Sequence, residues 1–308
     1  MTNEEIFDVI IVGGGAAGLT AGIYSSRAKL STLILNEGAI GGQMVLTEEV
    51  ANYPGVETTK GYLLANIMKN QAKSFGCKIK SNLKIKSYEL EGEIKHVVLE
   101  DGREFSGRCV ILSPGGRPRP VGIPGEEEFK GIGISYCATC DGDFFTGKEV
   151  IVVGGGNSAL EEAVALTQYA EKVTIVHQFD HFQAFQHAID QAKENPKIEF
   201  IMESELRSFK GEGALQEVTM EHLPSGKISS MKIDGVFIFI GYIPNTGDLD
   251  GIVKLSERGE IVVDESMQTS LPGVFAAGDS NVKKYRQVTT AVADGTIASL
   301  AAAEYLRS

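Results

Sequence analysis

The sequence has no run of apolar residues approaching the roughly 18–20 that a bilayer-spanning helix needs, which excludes an integral helical membrane protein. It also lacks a secretory start. A signal peptide needs a basic beginning, an apolar stretch and a small-residue cleavage site, whereas this chain opens on Met1-Thr2-Asn3-Glu4-Glu5 and runs directly into a strand pattern. A soluble, cytoplasmic protein is expected. Clustered positive charge is missing as well: 29 Lys and Arg stand against 41 Asp and Glu, a net charge of −12. Neutralising a phosphate backbone requires basic patches, so nucleic acid is not expected as a partner. Cysteine is scarce, with four in 308 residues. That is too few for a disulfide framework, and a cytoplasmic chain would not keep one. Cys77 and Cys109 stand alone among apolar neighbours and read as buried free thiols. Cys137 and Cys140 form the one C-x-x-C, a redox or metal spacing. Four-coordinate zinc needs a second ligand pair at matching spacing, and none follows, so no metal is expected.

What is present is ordinary globular composition, 43% hydrophobic and 23% charged, in a length that suits two domains. An apolar strand run, Phe7–Val12, leads into Gly13-Gly14-Gly15-Ala16-Ala17-Gly18. A helical pattern follows to about Arg27, then a second strand, Ser31–Leu35, ending near Glu37. This is a βαβ unit with G-x-G-x-x-G at its first turn. Gly13 makes the tight turn, Gly15 lets a pyrophosphate approach the backbone, and Gly18 lets helix pack on strand. The helix N-terminus offers N–H groups to the anion, and Glu37 suits a ribose hydroxyl.

The arrangement repeats about 140 residues later. Glu149–Val153 is a strand, Gly154-Gly155-Gly156-Asn157-Ser158-Ala159 a second turn, and a helix is expected from about Ser158 to Tyr169, then a strand at Lys172–Val176. Gly/Pro-rich joins at 113–120 and 241–246 mark boundaries. The expected fold is α/β, with two Rossmann-like dinucleotide-binding domains, the second inserted into the first: residues 1–115 and 246–308 form one, residues 116–245 the other. Disulfide exchange needs a thiolate attacker and a resolving thiol close behind it, which the spacing of Cys137 and Cys140 allows.

Together these features resemble the low-molecular-weight thioredoxin reductases over nearly the whole chain. The motifs that carry the likeness are Cys137-Ala138-Thr139-Cys140-Asp141-Gly142, Gly41-Gly42-Gln43, Asn52-Tyr53-Pro54-Gly55, the stretch Pro272 to Asp279, and Tyr285-Arg286-Gln287. The resemblance implies an FAD flavoprotein, typically a homodimer, that reduces a thioredoxin-like protein. It places Gly13, Gly15, Ala17 and Gly18 at the FAD pyrophosphate and Glu37 at the adenosine ribose. Gly42, Gln43 and Asn52 would lie by the flavin, and Gly115, at the domain join, would also bind the cofactor. Gly278 and Asp279 would meet the ribityl chain, and Arg286, Gln287 and Val288 the pyrimidine end of the ring. Cys140 would receive electrons from the flavin, Cys137 would attack the partner disulfide, and Asp141 would manage the thiol proton.

The chain departs from that pattern at one place. Members that use NADPH carry H-R-R-x-x-x-R after the second strand of the inserted unit. Here the stretch reads His177-Gln178-Phe179-Asp180-His181-Phe182-Gln183. The arginines that would hold a 2′-phosphate by charged, bidentate hydrogen bonds are absent. The likeness therefore narrows to the ferredoxin-dependent flavin thioredoxin reductases, whose NADPH site is degenerate, with ferredoxin as the expected donor. Lys78, Lys80, Lys84 and Lys86, and Lys283, Lys284 and Arg286, are basic runs that could steer an acidic donor. Phe179, Phe182 and Phe185 would either cover the nucleotide site or pack the start of a helix. Two alternatives stand beside this reading. One is an NAD(P)H-dependent reductase of thioredoxin or of a peroxiredoxin system, although the latter usually carries an extra N-terminal redox domain. The other is a flavin-binding redox sensor without turnover.

Overall fold

The computed structural model describes residues 5–46, 50 and 52–308. The acidic opening at residues 1–4 lies outside them. The chain forms two compact units, Met1–Arg117 with Ile243–Ser308, and Pro118–Tyr242.

The first unit is built on a sheet of seven strands. Strands Lys78–Lys80, Thr32–Leu35, Ile6–Val12 and Glu104–Leu112 lie side by side in parallel, and Val274–Ala276 adds in parallel to Glu104–Leu112. Lys95–Leu99 and Ile85–Glu89 extend the sheet in antiparallel fashion. Strand periodicity explains the two cores. Successive side chains point to opposite faces, so Val9 and Ile11 enter one apolar cluster while Ile10 and Val12 enter another. The first cluster is covered by the helices Ala16–Arg27, Gly61–Ser74 and Val288–Tyr305. A strand buried on both faces reads as a continuous apolar run, and that is how its second half, residues 9–12, is written.

The second unit repeats the plan. Ile198–Ile201, Lys172–Val176, Glu149–Val153, Gly235–Ile238 and Ile134–Ser135 form a five-stranded parallel sheet. Val150 and Val152 face the helices Asn157–Leu166 and Gln186–Glu194. Ile151 and Val153 face an antiparallel layer of Ser204–Gly211, Leu215–His222 and Lys227–Lys232. The helix expected to reach Tyr169 stops at Leu166, because residues 167–169 close as tighter turns onto the carbonyls of Val164, Ala165 and Leu166. Among the described residues, no helix is long and apolar enough to cross a membrane.

In each unit the glycine turn follows the central strand at its carboxyl end, where the strand order reverses direction. That crevice is where ligands of open α/β sheets bind.

Candidate active site

In the first unit the turn is shaped by backbone contacts that exclude side chains. Gly13 has a φ of +104°, and a Cβ there would stand 2.0 Å from the Ser113 carbonyl oxygen. A Cβ at Gly18 would stand 1.9 Å from the Gly13 carbonyl oxygen. Gly15 caps the helix Ala16–Arg27, and the nearest atom to a Cβ there is the Gly42 Cα at 3.9 Å. The turn is thus rigid on its strand side and open in front of the helix N-terminus. Unpaired helix N–H groups facing such a space can hold a pyrophosphate.

The side chain that reaches this turn from the second strand is Asn36. Its Oδ1 accepts the Gly14 N–H at 2.8 Å, and its Nδ2 donates to the carbonyls of Gly38 and Ala39. Glu37 instead accepts the Ile85 N–H at 2.9 Å. Asn36 carries no motif beside the acidic Glu37, but as the first residue past the strand it points over the glycines.

The far segment of the chain completes the cradle. A Cβ at Gly278 would lie 2.9 Å from the Ala17 Cβ. The Gly278 N–H donates to Asp294 Oδ2 at 2.9 Å, and Lys283 pairs with the same carboxylate. Arg286 donates from Nε to the Asp279 carbonyl at 3.2 Å and pairs with Glu260 through Nη2. Asp279 Oδ1 is buried without a hydrogen-bond partner. Burial pushes the Asp279 carboxyl above the ordinary range, while Lys283 and Arg286 pull it back. A buried polar atom with no partner costs free energy unless a ligand or water satisfies it, and a cofactor hydroxyl would do so. Asn52 Nδ2 donates to Gln287 Oε1 at 3.3 Å, joining two predicted residues 235 positions apart. Gln287 also caps the helix that begins at Val288, its N–H donating to Thr290 Oγ1. Gln43 lies exposed in the short helix Gly42–Leu46. Gly115 accepts the Asn245 N–H through its carbonyl at 2.9 Å.

Of the two predicted basic runs, Lys283 is withdrawn from solvent, whereas Lys78 and Lys84 stay exposed, at 55% and 78%. The Lys283 side chain is only 13% exposed, against Asp294. Lys78 pairs with Glu5, and Lys84 lies 3.8 Å from Glu100.

The cysteine pair belongs to the second unit. Cys137 and Cys140 are joined as a disulfide, with Cα atoms 5.3 Å apart, and both are half-buried. Cys137 caps the single helical turn Ala138–Asp141, which follows the strand Ile134–Ser135. Burial raises the Asp141 carboxyl above its ordinary range, Asp143 adds to the rise, and a hydrogen bond from Ser135 opposes it. A carboxyl whose acid form is favoured by burial suits proton transfer to sulfur. Tyr136 is held from behind: its hydroxyl donates to buried Glu126 at 2.6 Å, and Glu126 also accepts the N–H groups of Val121 and Gly122.

The other two thiols are elsewhere. Cys77 and Cys109 are buried, and desolvation pushes each up to about 11. At pH 8 the reduced native protein should therefore show two thiols reacting rapidly with an aromatic disulfide reagent, and four after denaturation. Four fast thiols in the native protein would contradict the burial of Cys77 and Cys109.

The second glycine turn copies the first. Gly154 donates to the Val176 carbonyl at 3.1 Å, as Gly13 does to Leu35 at 2.8 Å. The equivalent of Asn36 is His177, buried, with its ring against Gly155, where a Cβ would meet it at 2.3 Å. Gln183 donates its N–H to the Gly155 carbonyl at 2.8 Å, matching the Gly41 bond to Gly14 in the first unit. This bond is therefore a property of the fold and not a closed lid. Gln178, Phe179 and Gln183 are exposed. His177 stacks on Phe182, and Phe179 on His181. Phe182 packs while Phe185 is 76% exposed just before the helix Gln186–Glu194, so the aromatic cluster only partly serves the helix start. Among the described residues, no group of three or more His, Cys, Asp or Glu is arranged to hold a metal ion.

Residues 7–295 match the pyridine nucleotide-disulphide oxidoreductase family. A thioredoxin reductase of Peptoclostridium acidaminophilum is 43% identical over 99% of this chain and 98% of its own length. A 34.2 kDa protein of the rubredoxin operon of Clostridium pasteurianum is 41% identical over 99% of both chains. The crystal structure of thioredoxin reductase from Streptococcus pyogenes superposes with a TM-score of 0.92, at 39% identity over 98% of each chain. This chain belongs to the thioredoxin reductase family. It is an FAD-dependent disulfide oxidoreductase with two Rossmann-like units. The thioredoxin reductase cradle around Gly13, Gly15, Asn36 and Asp279 fits that cofactor on its own terms: an open helix N-terminus for the pyrophosphate and a partnerless buried carboxyl oxygen for a hydroxyl.

Proposed function

We propose that this protein reduces the disulfide of a thioredoxin-like protein through Cys137 and Cys140. The observation that carries the reading is the joined cysteine pair, followed directly by Asp141, whose carboxyl burial pushes above its ordinary range. FAD, when bound, supplies the two-electron reduction of that disulfide. In the first unit, Gly13, Gly15 and Gly18 would give its pyrophosphate access, Asp279 would meet a hydroxyl of its chain, and Asn52 with Gln287 would form one polar edge. Cys140 receives the electrons, and Cys137 is released as the attacking thiolate. Cys137 forms the mixed disulfide, expelling one partner sulfur, and Cys140 then displaces Cys137. Two electrons and two protons leave the enzyme and appear as the partner's dithiol, with Asp141 exchanging the proton at sulfur. The protein acts in the cytoplasm as a homodimer.

The first reading of the donor is a reduced pyridine nucleotide, as in classical members of the family. The second glycine turn keeps the hydrogen bond and register of the first. NADPH is then held without the arginines that usually grip its phosphate, so it is weakly bound and little preferred over NADH. A small electron-carrier protein such as ferredoxin is the second reading. Two observations favour it: segment 177–185 carries no Lys or Arg, and one relative is named for a rubredoxin operon. Anaerobic bleaching of bound FAD tests both, with NADPH, NADH and reduced ferredoxin at equal electron equivalents. Bleaching by either nucleotide within a turnover time supports the first reading. Fast bleaching by ferredoxin with neither nucleotide effective overturns it and establishes the second.

A further inference from the structure

Ser135 lies at the end of the shortest strand of the second unit, two residues before Cys137, and is buried. Its hydroxyl makes a specific set of contacts. The Oγ donates to Asp141 Oδ2 at 2.6 Å and accepts the Cys137 N–H at 3.0 Å. The Cys137 carbonyl also lies 3.3 Å from the Oγ. The strand that carries Ser135 is fixed by parallel pairing to Gly235–Ile238, with Ser135 opposite Phe237. One hydroxyl thus links the acid, the backbone of the nucleophilic cysteine and the sheet.

We infer that Ser135 is the positioning residue for Asp141, holding its carboxyl beside the Cys137–Cys140 pair throughout the redox cycle. The physical reason is geometric. Asp141 follows Cys140 on a single helical turn, which is too short to be held by its own hydrogen-bond ladder. A free carboxyl on such a turn has several rotamers, and only some face sulfur. The bond at 2.6 Å selects one of them. Because the same oxygen is anchored by the Cys137 N–H, the acid is referenced to the backbone that carries the reacting sulfur. When the disulfide opens and the sulfurs separate, neither hydrogen bond depends on the S–S bond, so the carboxyl keeps its place. Ser135 touches no substrate atom and acts only through Asp141. The other charged group bearing on this carboxyl is Asp143, on the turn that follows.

The inference rests on the assignment of Asp141 as the proton-handling group, and one experiment separates the two. The FAD-loaded protein is reduced anaerobically by light with EDTA as the sacrificial electron donor, and the return of oxidised flavin absorbance reports electron passage to the disulfide. Single and double substitutions are compared. Asp141→Asn is expected to slow this step by about 100-fold, and Ser135→Ala by about tenfold. If Ser135 works through Asp141, the double variant is no slower than Asp141→Asn alone. Ser135→Thr, which keeps the hydroxyl, should recover most of the rate. FAD occupancy and far-ultraviolet circular dichroism of each variant exclude a folding defect. Additive losses in the double variant, or full activity in Ser135→Ala while Asp141→Asn is slow, overturn the positioning role alone. An unaffected Asp141→Asn removes the acid assignment, and the role of Ser135 with it.

Discussion

Cys140→Ser should lose disulfide-reducing turnover, to below about a thousandth of the unmodified rate, while keeping bound FAD and its visible spectrum. The first half of the expectation follows from the chemistry of sulfur. A serine oxygen neither forms a reducible bond with Cys137 nor displaces it from a mixed disulfide, so the partner stays covalently trapped or is never attacked. No other thiol can substitute. Cys77 and Cys109 are buried, and desolvation raises both to about 11, so almost none of either is thiolate near neutrality. The second half follows from the division of labour between the units. The glycine cradle, Asn36 and Asp279 all lie in the first, the cysteine pair in the second. Cys137→Ser should be equally inactive but should trap no partner, because the attacking sulfur is gone. Turnover of either variant above a few per cent would defeat the thiol mechanism, whereas an unmodified protein that binds FAD but turns over no disulfide would return the redox sensor without turnover to consideration.

The fold was legible in the sequence because its strongest signals are local. An apolar run of strand length, a turn of glycines, a helix and another strand define a βαβ unit without reference to the rest of the chain. The repeat of that pattern then implied the second unit. The cysteine pair was legible for the same reason, since a C-x-x-C is a short-range feature. What escaped was long-range or depended on side-chain direction. Asn36 and Glu37 are adjacent, and only the exit direction of the strand decides that Asn36 meets the Gly14 N–H while Glu37 turns to Ile85. The hydrogen bond between Asn52 and Gln287 spans 235 residues. Lys283 reads as a surface charge beside Lys284, yet it is packed against Asp294 on the terminal helix. Ser135 carries no motif of its own; its role appears only when the turn after it folds Asp141 back onto its hydroxyl.

Replacing Gln178, Phe179 and Gln183 together by arginine should make NADPH a markedly better reductant of the flavin than NADH. Each charged hydrogen bond to a phosphate is worth about 1.5–3 kcal/mol, and about 1.4 kcal/mol is tenfold in affinity. Even partial engagement by the three side chains therefore predicts a preference for NADPH of about 100-fold or more. The structure favours a clean result. All three positions are exposed, so the substitutions create no buried charge. The bond from Gln183 to Gly155 uses the backbone N–H and survives the change of side chain. Only Phe179 has an apolar role to lose, its edge contact with His177 and its stack on His181. His177 remains held by Phe182 and by its bond to the His181 carbonyl at 3.1 Å. The measurement is the bleaching rate against concentration for both nucleotides, in the unmodified and the triple-arginine protein. A gain specific to NADPH means that the second glycine turn is a working nucleotide site lacking only its phosphate grip. No response to either nucleotide after the substitution would place the defect in the turn itself and strengthen a carrier protein as donor. A wild type that already prefers NADPH strongly, and gains nothing, would mean that cations outside segment 177–185 reach the phosphate.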